Sequence, residues 1–213
     1  MKLTDQSATE IFQLSLKGFT DGKDMERILF IDGLFTGLKN HGRVILKNHE
    51  IPSELFKESD LPQLFLAYEN IGKALLQALT FPLEVPHHYF DLMVDQGDSF
   101  LSYLTEKNKW SFLTIIPDFD LVNQQINLVV TTGSMLSRMT NDVMNSHFLD
   151  QEIQHSLKMS EQDEDHLGHL VFSMRPTPEA ILSCIPKMTR KCQGGVGPAK
   201  YPDIEARELF SEC

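Results

Sequence analysis

The chain has 213 residues, of which 41% are hydrophobic and 23% charged, and its net charge is −11. This composition is ordinary for one globular domain and excludes a disordered chain, while the negative charge disfavours binding to nucleic acid or to an anionic membrane surface. No apolar run reaches the ~18 residues of a membrane span, and no apolar segment of signal-peptide type follows Lys2. The three cysteines lack zinc-type spacing, so we expect free thiols and a cytoplasmic protein.

The first half of the sequence predicts two long helices and a strand between them. Apolar residues at spacings of three and four predict a helix over residues 24–40, with Gly42 as its C-cap. Residues 43–47 read as a short strand rich in apolar residues. A second helix is predicted over residues 63–80, and the prolines that follow, of which Pro82 is the first, are expected to end it.

The second half of the sequence predicts strands. Short runs rich in β-branched and aromatic residues, separated by turn-forming residues, occur at 100–104, 112–116, 128–132 and 170–174. We therefore expect a single α+β domain over residues 1–213. Its mainly helical half would be residues 1–98, and its β-rich half would be residues 99–213.

Four segments carry motifs in a recognisable order. Gly42–Pro52 is similar to "G-F-hydrophobic-x-x-N-H-G-I-P", with Glu50 in the place of the last glycine. Residues 128–142 are similar to "V-V-N-x-G-D-M-L-x-R-x-T-N-(G/D)", Phe172–Pro178 to "F-F-x-x-P-x-P" and Lys200–Ile204 to "K-Y-P-P-I". These motifs, in this order, resemble the isopenicillin N synthase-like branch of the 2-oxoglutarate/Fe(II)-dependent oxygenases.

The resemblance implies a fold and an iron site. The fold would be helices packed on a reduced double-stranded β-helix, the jelly-roll or cupin-like sheet. The family binds Fe(II) through two histidines and a carboxylate, and the first histidine and the carboxylate form a His-x-Asp motif. Neither His-x-Asp nor His-x-Glu occurs in this sequence. The family carries that motif in the interval between Tyr103 and Trp110, which here is only six residues long.

The remaining candidates for the metal and cosubstrate are few. His147 is the first candidate for the second iron histidine and His155 the second, and a rearranged site could add Asp142 or Asp150 as the carboxylate. The family binds the cosubstrate carboxylate through "R-x-S", but those two positions are Leu167 and His169 here, and Arg175 stands outside the pattern. No catalytic residue and no cofactor-binding residue is matched. Fe(II) and 2-oxoglutarate are therefore expected as cofactors only if the chain is an active oxygenase.

Three functions follow as hypotheses. The first is an oxygenase-like protein that has lost its iron site and acts as a non-catalytic binding or regulatory protein. The second is an active non-haem iron oxygenase that acts on a small molecule through a rearranged metal site. The third is the non-functional product of a decayed gene. Because lost strands leave open sheet edges, we also expect a homodimer or a protein partner that covers the sheet near residues 104–132.

Overall fold

The computed structural model describes residues 12–56, 60–103, 106–120, 125–146, 170–190 and 195–210. The helices are α1 (Leu16–Thr20), α2 (Asp24–His41), α3 (Leu61–Leu83), α4 (Asp91–Val94), α5 (Ser134–Met139) and α6 (Ala206–Phe210). Short 3-10 helices lie at Ser53–Phe56, Glu106–Lys109 and Pro186–Thr189. The strands are β1 (Gln13–Ser15), β2 (Arg43–Lys47), β3 (Phe100–Tyr103), β4 (Leu113–Asp120), β5 (Gln125–Thr132), β6 (Leu170–Met174), β7 (Ile181–Leu182) and β8 (Ile204–Glu205).

The predicted mixture of helices and strands is confirmed, and the sheet draws on both halves of the chain. Six strands pair in the order β1-β2-β5-β4-β6-β3, and β7 pairs with β8 in a separate ribbon. Strand β1 runs parallel to β2, and the other pairs of the large sheet are antiparallel. Within the described residues the strands form an open sheet rather than a closed barrel.

Helix α2 begins and ends close to the predicted positions, but one side of its first two turns is exposed. Gly42 ends the helix in the left-handed conformation, with φ 64° and ψ 2°, as expected for a glycine C-cap. Phe30, Leu34 and Leu38 pack into the core. The other apolar side chains of the first turns remain mostly exposed: Met25, Ile28 and Leu29. The short helix α1 packs on the opposite side of these turns, through the stacked rings of Phe19 and Phe30.

Helix α3 is longer than predicted at both ends. Asp60 caps its N-terminus by accepting a hydrogen bond from the Gln63 N–H at 3.2 Å. Pro82 does not end the helix, because it lies within the last turn, and the chain leaves the helix at Glu84 with φ 53°. None of the helices in the described ranges, including this one, is both long and apolar enough to cross a lipid bilayer.

The core lies between α2, α3 and one face of the large sheet. On that face Phe172 of β6 stacks on Tyr68 of α3, with ring centroids 5.8 Å apart, and meets Phe65 edge-on at 5.3 Å. The side chains of Met135, Met139 and Met144 are fully buried in the same core. The helices thereby cover one face of the sheet and leave the other face for the candidate site.

Candidate functional site

The face of the sheet opposite the helices is lined by rows of side chains set by strand register. Arg43, Thr131, Thr114 and Ser173 are consecutive partners on β2, β5, β4 and β6, and they form a polar row. Ile45, Val129 and Ile116 form an apolar row beside it. Thr114 and Ser173 are completely buried, so this face is a packed surface in the middle of the sheet.

A short 3-10 helix, Glu106–Lys109, stands at the end of this face and supplies a buried amide. The Asn108 side chain is completely buried. Its Nδ2 donates hydrogen bonds to Ser102 Oγ at 3.0 Å and to Ser173 Oγ at 2.9 Å. One side chain therefore bridges the edge strand β3 and its neighbour β6.

The backbone of Asn108 is also hydrogen-bonded. The Asn108 carbonyl accepts hydrogen bonds from Ser111 Oγ at 3.0 Å and from Thr114 Oγ1 at 3.3 Å. Because buried polar groups stabilise a fold only when they are paired, these hydrogen bonds stabilise this end of the sheet. We call Ser102, Asn108, Ser111, Thr114 and Ser173 the Asn108 network.

A second polar cluster joins two of the motif segments that are far apart in sequence. Asp142 follows α5 in the left-handed conformation, with φ 62°. Its carboxylate accepts from the Tyr201 hydroxyl at 2.9 and 3.0 Å, from Lys200 Nζ at 2.9 Å and from Ser137 Oγ at 3.3 Å. The neighbouring Asn141 Oδ1 accepts from the Lys200 N–H at 2.8 Å.

The electrostatics of Asp142 follow from these contacts. Partial burial alone would raise the pKa of the Asp142 carboxyl, but the hydrogen bonds from Lys200 and Tyr201 outweigh it and hold the pKa below its usual range. The carboxylate is therefore charged at neutral pH, and both of its oxygens are engaged by protein donors. It anchors the C-terminal segment to the turn after α5.

His49 is also fixed by the protein. Its Nδ1 accepts from the Ile51 N–H at 3.1 Å, so its Nε2 carries the proton and donates to the Ile126 carbonyl at 2.7 Å. Burial lowers the pKa of His49, although the hydrogen bond to Ile126 acts in the opposite direction. The neutral imidazole thus ties the turn after β2 to the start of β5. The turn itself places Asn48 and Glu50 at positive φ, 53° and 60°.

The predicted metal ligands are not brought together by the described part of the chain. His147, His155 and Asp150 lie outside the described residues, as do Leu167 and His169. Asp142 lies within the described residues, and its carboxylate accepts hydrogen bonds from Tyr201, Lys200 and Ser137. Arg175 lies between two rings, with its guanidinium carbon 4.4 Å from the centroid of Phe100 and 4.9 Å from that of Phe210.

Solved structures with a similar fold identify the architecture. A 2OG-Fe(II) oxygenase family protein from Caulobacter crescentus aligns over 95% of this chain and 97% of its own, with a TM-score of 0.63 and 14% sequence identity. The chain has the fold of the 2OG-Fe(II) oxygenases. A full-length Neurospora crassa protein in complex with alpha-KG and 5-formyluracil aligns over 96% of both chains, with a TM-score of 0.63 and 14% identity.

The sequence comparisons give no closer assignment. No protein-family model and no curated protein matches the chain. At 14% identity, the likeness to the solved structures shows the fold alone. A shared fold does not imply a shared function, which depends on the side chains of the site.

The described side chains do not fit an iron centre of the kind that the fold implies. Such a centre needs two histidines and a carboxylate on one face. Within the described ranges no three His, Cys, Asp or Glu side chains lie close enough to hold a metal ion together. In the interval where the His-x-Asp strand was expected, the Asn108 network presents an amide N–H group and hydroxyls that are already paired with one another.

Sequence reasoning missed Asn108 as a key residue of this face. The sequence showed that the interval between Tyr103 and Trp110 is short, but it did not predict the 3-10 helix that carries Asn108. The partners of the amide lie 6 and 65 residues away, at Ser102 and Ser173. No local pattern signals a hydrogen bond of that sequence separation, so strand register was needed to find it.

Proposed function

We propose that this chain is an oxygenase-fold protein without iron chemistry, which acts as a non-catalytic binding or regulatory protein. The observation that carries the proposal is the Asn108 network. In the interval where the resemblance leads us to expect the His-x-Asp motif, the chain forms the 3-10 helix Glu106–Lys109. The Asn108 amide of this turn donates to Ser102 and Ser173 at 3.0 and 2.9 Å.

The chemistry of this replacement disfavours a metal at the same place. An asparagine Nδ2 carries two hydrogens and is a donor, so it cannot offer a lone pair to Fe(II). The hydroxyl oxygens of Ser102 and Ser173 accept those hydrogens and face the amide rather than open space. Rebuilding an iron site here would break paired, buried hydrogen bonds, each of which is worth about 1 kcal/mol net and more when a partner is left unpaired.

Turnover of the cosubstrate tests the proposal. The purified protein would be incubated with Fe(II), ascorbate and 2-oxoglutarate in air, and succinate would be measured over time. We expect no succinate above that formed by a heat-denatured sample. Sustained succinate formation that is abolished in His147→Ala would instead establish an active oxygenase with a rearranged site, and would overturn the proposal.

We also propose that the sheet is covered by a second copy of the chain or by another protein near residues 104–132. Strand β4 pairs with β6 only over Leu113–Ile115, whereas it pairs with β5 as far as Asp120. In the described pairing, Ile116–Asp120 therefore has a strand on one side, and such an edge favours pairing with another chain.

The mass in solution tests the association. Size exclusion with light scattering at tens of micromolar should give a mass above the 24.3 kDa of one chain, or a stable complex when the protein is isolated from its source. A monodisperse single-chain mass with no partner would contradict this part of the proposal. Insoluble or heterogeneous protein would instead favour the product of a decayed gene.

A further inference from the structure

A cleft in the helical layer has the size and lining of a small-molecule site. It has a volume of about 600 Å³ and lies between α1, α2, α3 and the segment after α3. Small-molecule sites in proteins typically measure ~300–1,000 Å³. The cleft is on the helical side of the sheet, away from the Asn108 network, so it is independent of the function proposed above.

The floor and sides of the cleft are apolar. Phe19 of α1, Ile31 of α2 and Ala78 of α3 line it together with Phe81 and Val85. Phe81 is 76% exposed, which is unusual for a phenylalanine within a long helix. A bound apolar group would contact this ring and remove it from water.

The polar groups of the cleft carry donors. Of the eleven lining residues none is acidic, and Arg27, Gln77 and His87 are among them. In a chain with net charge −11, a cleft with an arginine and no carboxylate in its lining is a local exception. Asp21 and Glu26, which are next to Thr20 and Arg27 in sequence, line a different pocket, and the Glu84 carboxylate is bound to Lys187 Nζ at 2.8 Å.

The Arg27 guanidinium is poised at this cleft without a carboxylate partner. Its Nη2 donates to the Thr20 carbonyl at 3.1 Å, which holds the side chain against α1. Among the residues that the structure describes, no acidic side chain forms an ion pair with it. The planar guanidinium has five N–H donors, so most remain for a ligand, and a carboxylate matches their spacing best.

The other polar pair fixes the far wall. Gln77 Nε2 donates to His87 Nδ1 at 3.2 Å, and the His87 ring stacks on His88 with centroids 4.9 Å apart. The hydrogen bond holds the segment after α3 against the helix at one side of the cleft. The lining is therefore apolar over most of its surface, with a cation on the α2 side.

We infer that this cleft binds a small apolar carboxylic acid, with its hydrocarbon or aromatic body among Phe19, Ile31 and Phe81 and its carboxylate on Arg27. An acid of this class uses both features of the cleft at once. An apolar alcohol would contact only the apolar lining, and the positive charge of an amine would be repelled by Arg27.

Titration calorimetry with decanoate tests the inference on the full chain. Decanol and decylamine are the neutral and cationic controls. We expect one decanoate per chain, with weaker binding of decanol and none of decylamine. Arg27→Gln should weaken decanoate binding by about tenfold, the value of one charge-assisted contact, and should leave decanol binding unchanged. Lys39→Gln removes the same charge from the other end of α2 and should have no effect.

A second pair of variants tests the place of binding. Ala74→Phe fills the cleft from α3 and should abolish binding, whereas Ala67→Phe adds the same ring to the same helix outside this cleft and should not. Thermal unfolding of each variant shows that it is folded. No binding of decanoate to the native chain, equal affinity for decanoate and decanol, or unchanged binding in Ala74→Phe would each overturn the inference.

Discussion

The Tyr201 hydroxyl lies 2.9 and 3.0 Å from the two carboxylate oxygens of Asp142, across 59 residues of sequence. This contact closes the C-terminal segment onto the turn after α5. Lys200 reinforces it with an ion pair to the same carboxylate at 2.9 Å. The two motif segments that carried the resemblance are therefore neighbours in space, and the contact between them is structural.

We predict that Asp142→Asn lowers the free energy of unfolding by about 1–2 kcal/mol at pH 7, the range for partly exposed hydrogen bonds to a charged group. The hydrogen bonds from Lys200 and Tyr201 lower the folded-state pKa of Asp142 below its unfolded value. Its stabilisation is therefore present above about pH 4 and is lost as the pH falls through the folded-state pKa. Urea unfolding at pH 7 and at about pH 3 measures both effects.

The matched control for this prediction is Asp95→Asn. Asp95 also pairs with a lysine, Lys73, but its side chain is 68% exposed. An exposed pair contributes roughly 0–1 kcal/mol. Equal losses in the two variants at pH 7, or a loss in Asp142→Asn that does not diminish as the pH is lowered, would contradict the anchoring role.

We predict that Asn108→Ala destabilises the protein by about 1–3 kcal/mol, because the buried hydroxyls of Ser102 and Ser173 lose their shared donor. Chemical denaturation measures the change. Asn40→Ala, at an exposed position near the end of α2, should change stability little. Equal free energies of unfolding for the two variants would contradict the prediction that the Asn108 network stabilises this end of the sheet.

We predict that Glu50→Gly stabilises the chain by roughly 0.5–1 kcal/mol. Glu50 occupies the left-handed region with φ 60°, where a side chain costs about 1–2 kcal/mol and glycine recovers most of it. Glu50→Ala removes the same exposed ion pair with Lys17 but keeps the Cβ, so it should give no gain. Thermal unfolding of the two variants separates backbone strain from charge, and a gain in both would refute the strain argument.

We predict that His49 makes stability depend on pH below about 6.5. Burial lowers its folded-state pKa below the unfolded value, so the unfolded chain takes up a proton first as the pH falls. The stabilisation is present above about pH 6.5 and is lost toward the folded-state pKa. Urea midpoints from pH 7.5 to pH 5 should fall more steeply for the native chain than for His49→Asn, and parallel curves would contradict the prediction.

Local sequence patterns predicted where most helices and strands lie, but not which of their side chains are buried. Strands form at all four predicted places, and two of them are longer than predicted: Phe100–Tyr103, Leu113–Asp120, Gln125–Thr132 and Leu170–Met174. Runs of β-branched and aromatic residues favour a sheet wherever they occur. The helix over 24–40 is confirmed, but periodicity did not show that its start is exposed, since an apolar face does not reveal what covers it. The prediction that Pro82 ends α3 was wrong, because a proline is tolerated in the last turn of a helix, where few backbone hydrogen bonds remain to be lost.

The candidate site was predicted only as a missing motif. The absence of His-x-Asp is readable from the 213 residues. The contact of Asn108 with Ser102 and Ser173 depends on the register of β3 with β6 and on the position of the 3-10 helix, and neither can be read from a local pattern. The engaged state of Asp142 likewise depends on a segment 59 residues later.

Iron binding tests the central proposal most directly. The protein would be titrated with Fe(II) in the absence of oxygen, with and without 2-oxoglutarate, while the charge-transfer absorption of an iron-bound cosubstrate is followed. We predict no such band and no stoichiometric Fe(II) binding at micromolar concentrations, because a tight site needs several correctly placed ligands. Stoichiometric Fe(II) binding of micromolar affinity or better, with the band appearing on addition of 2-oxoglutarate and lost in His147→Ala, would contradict it.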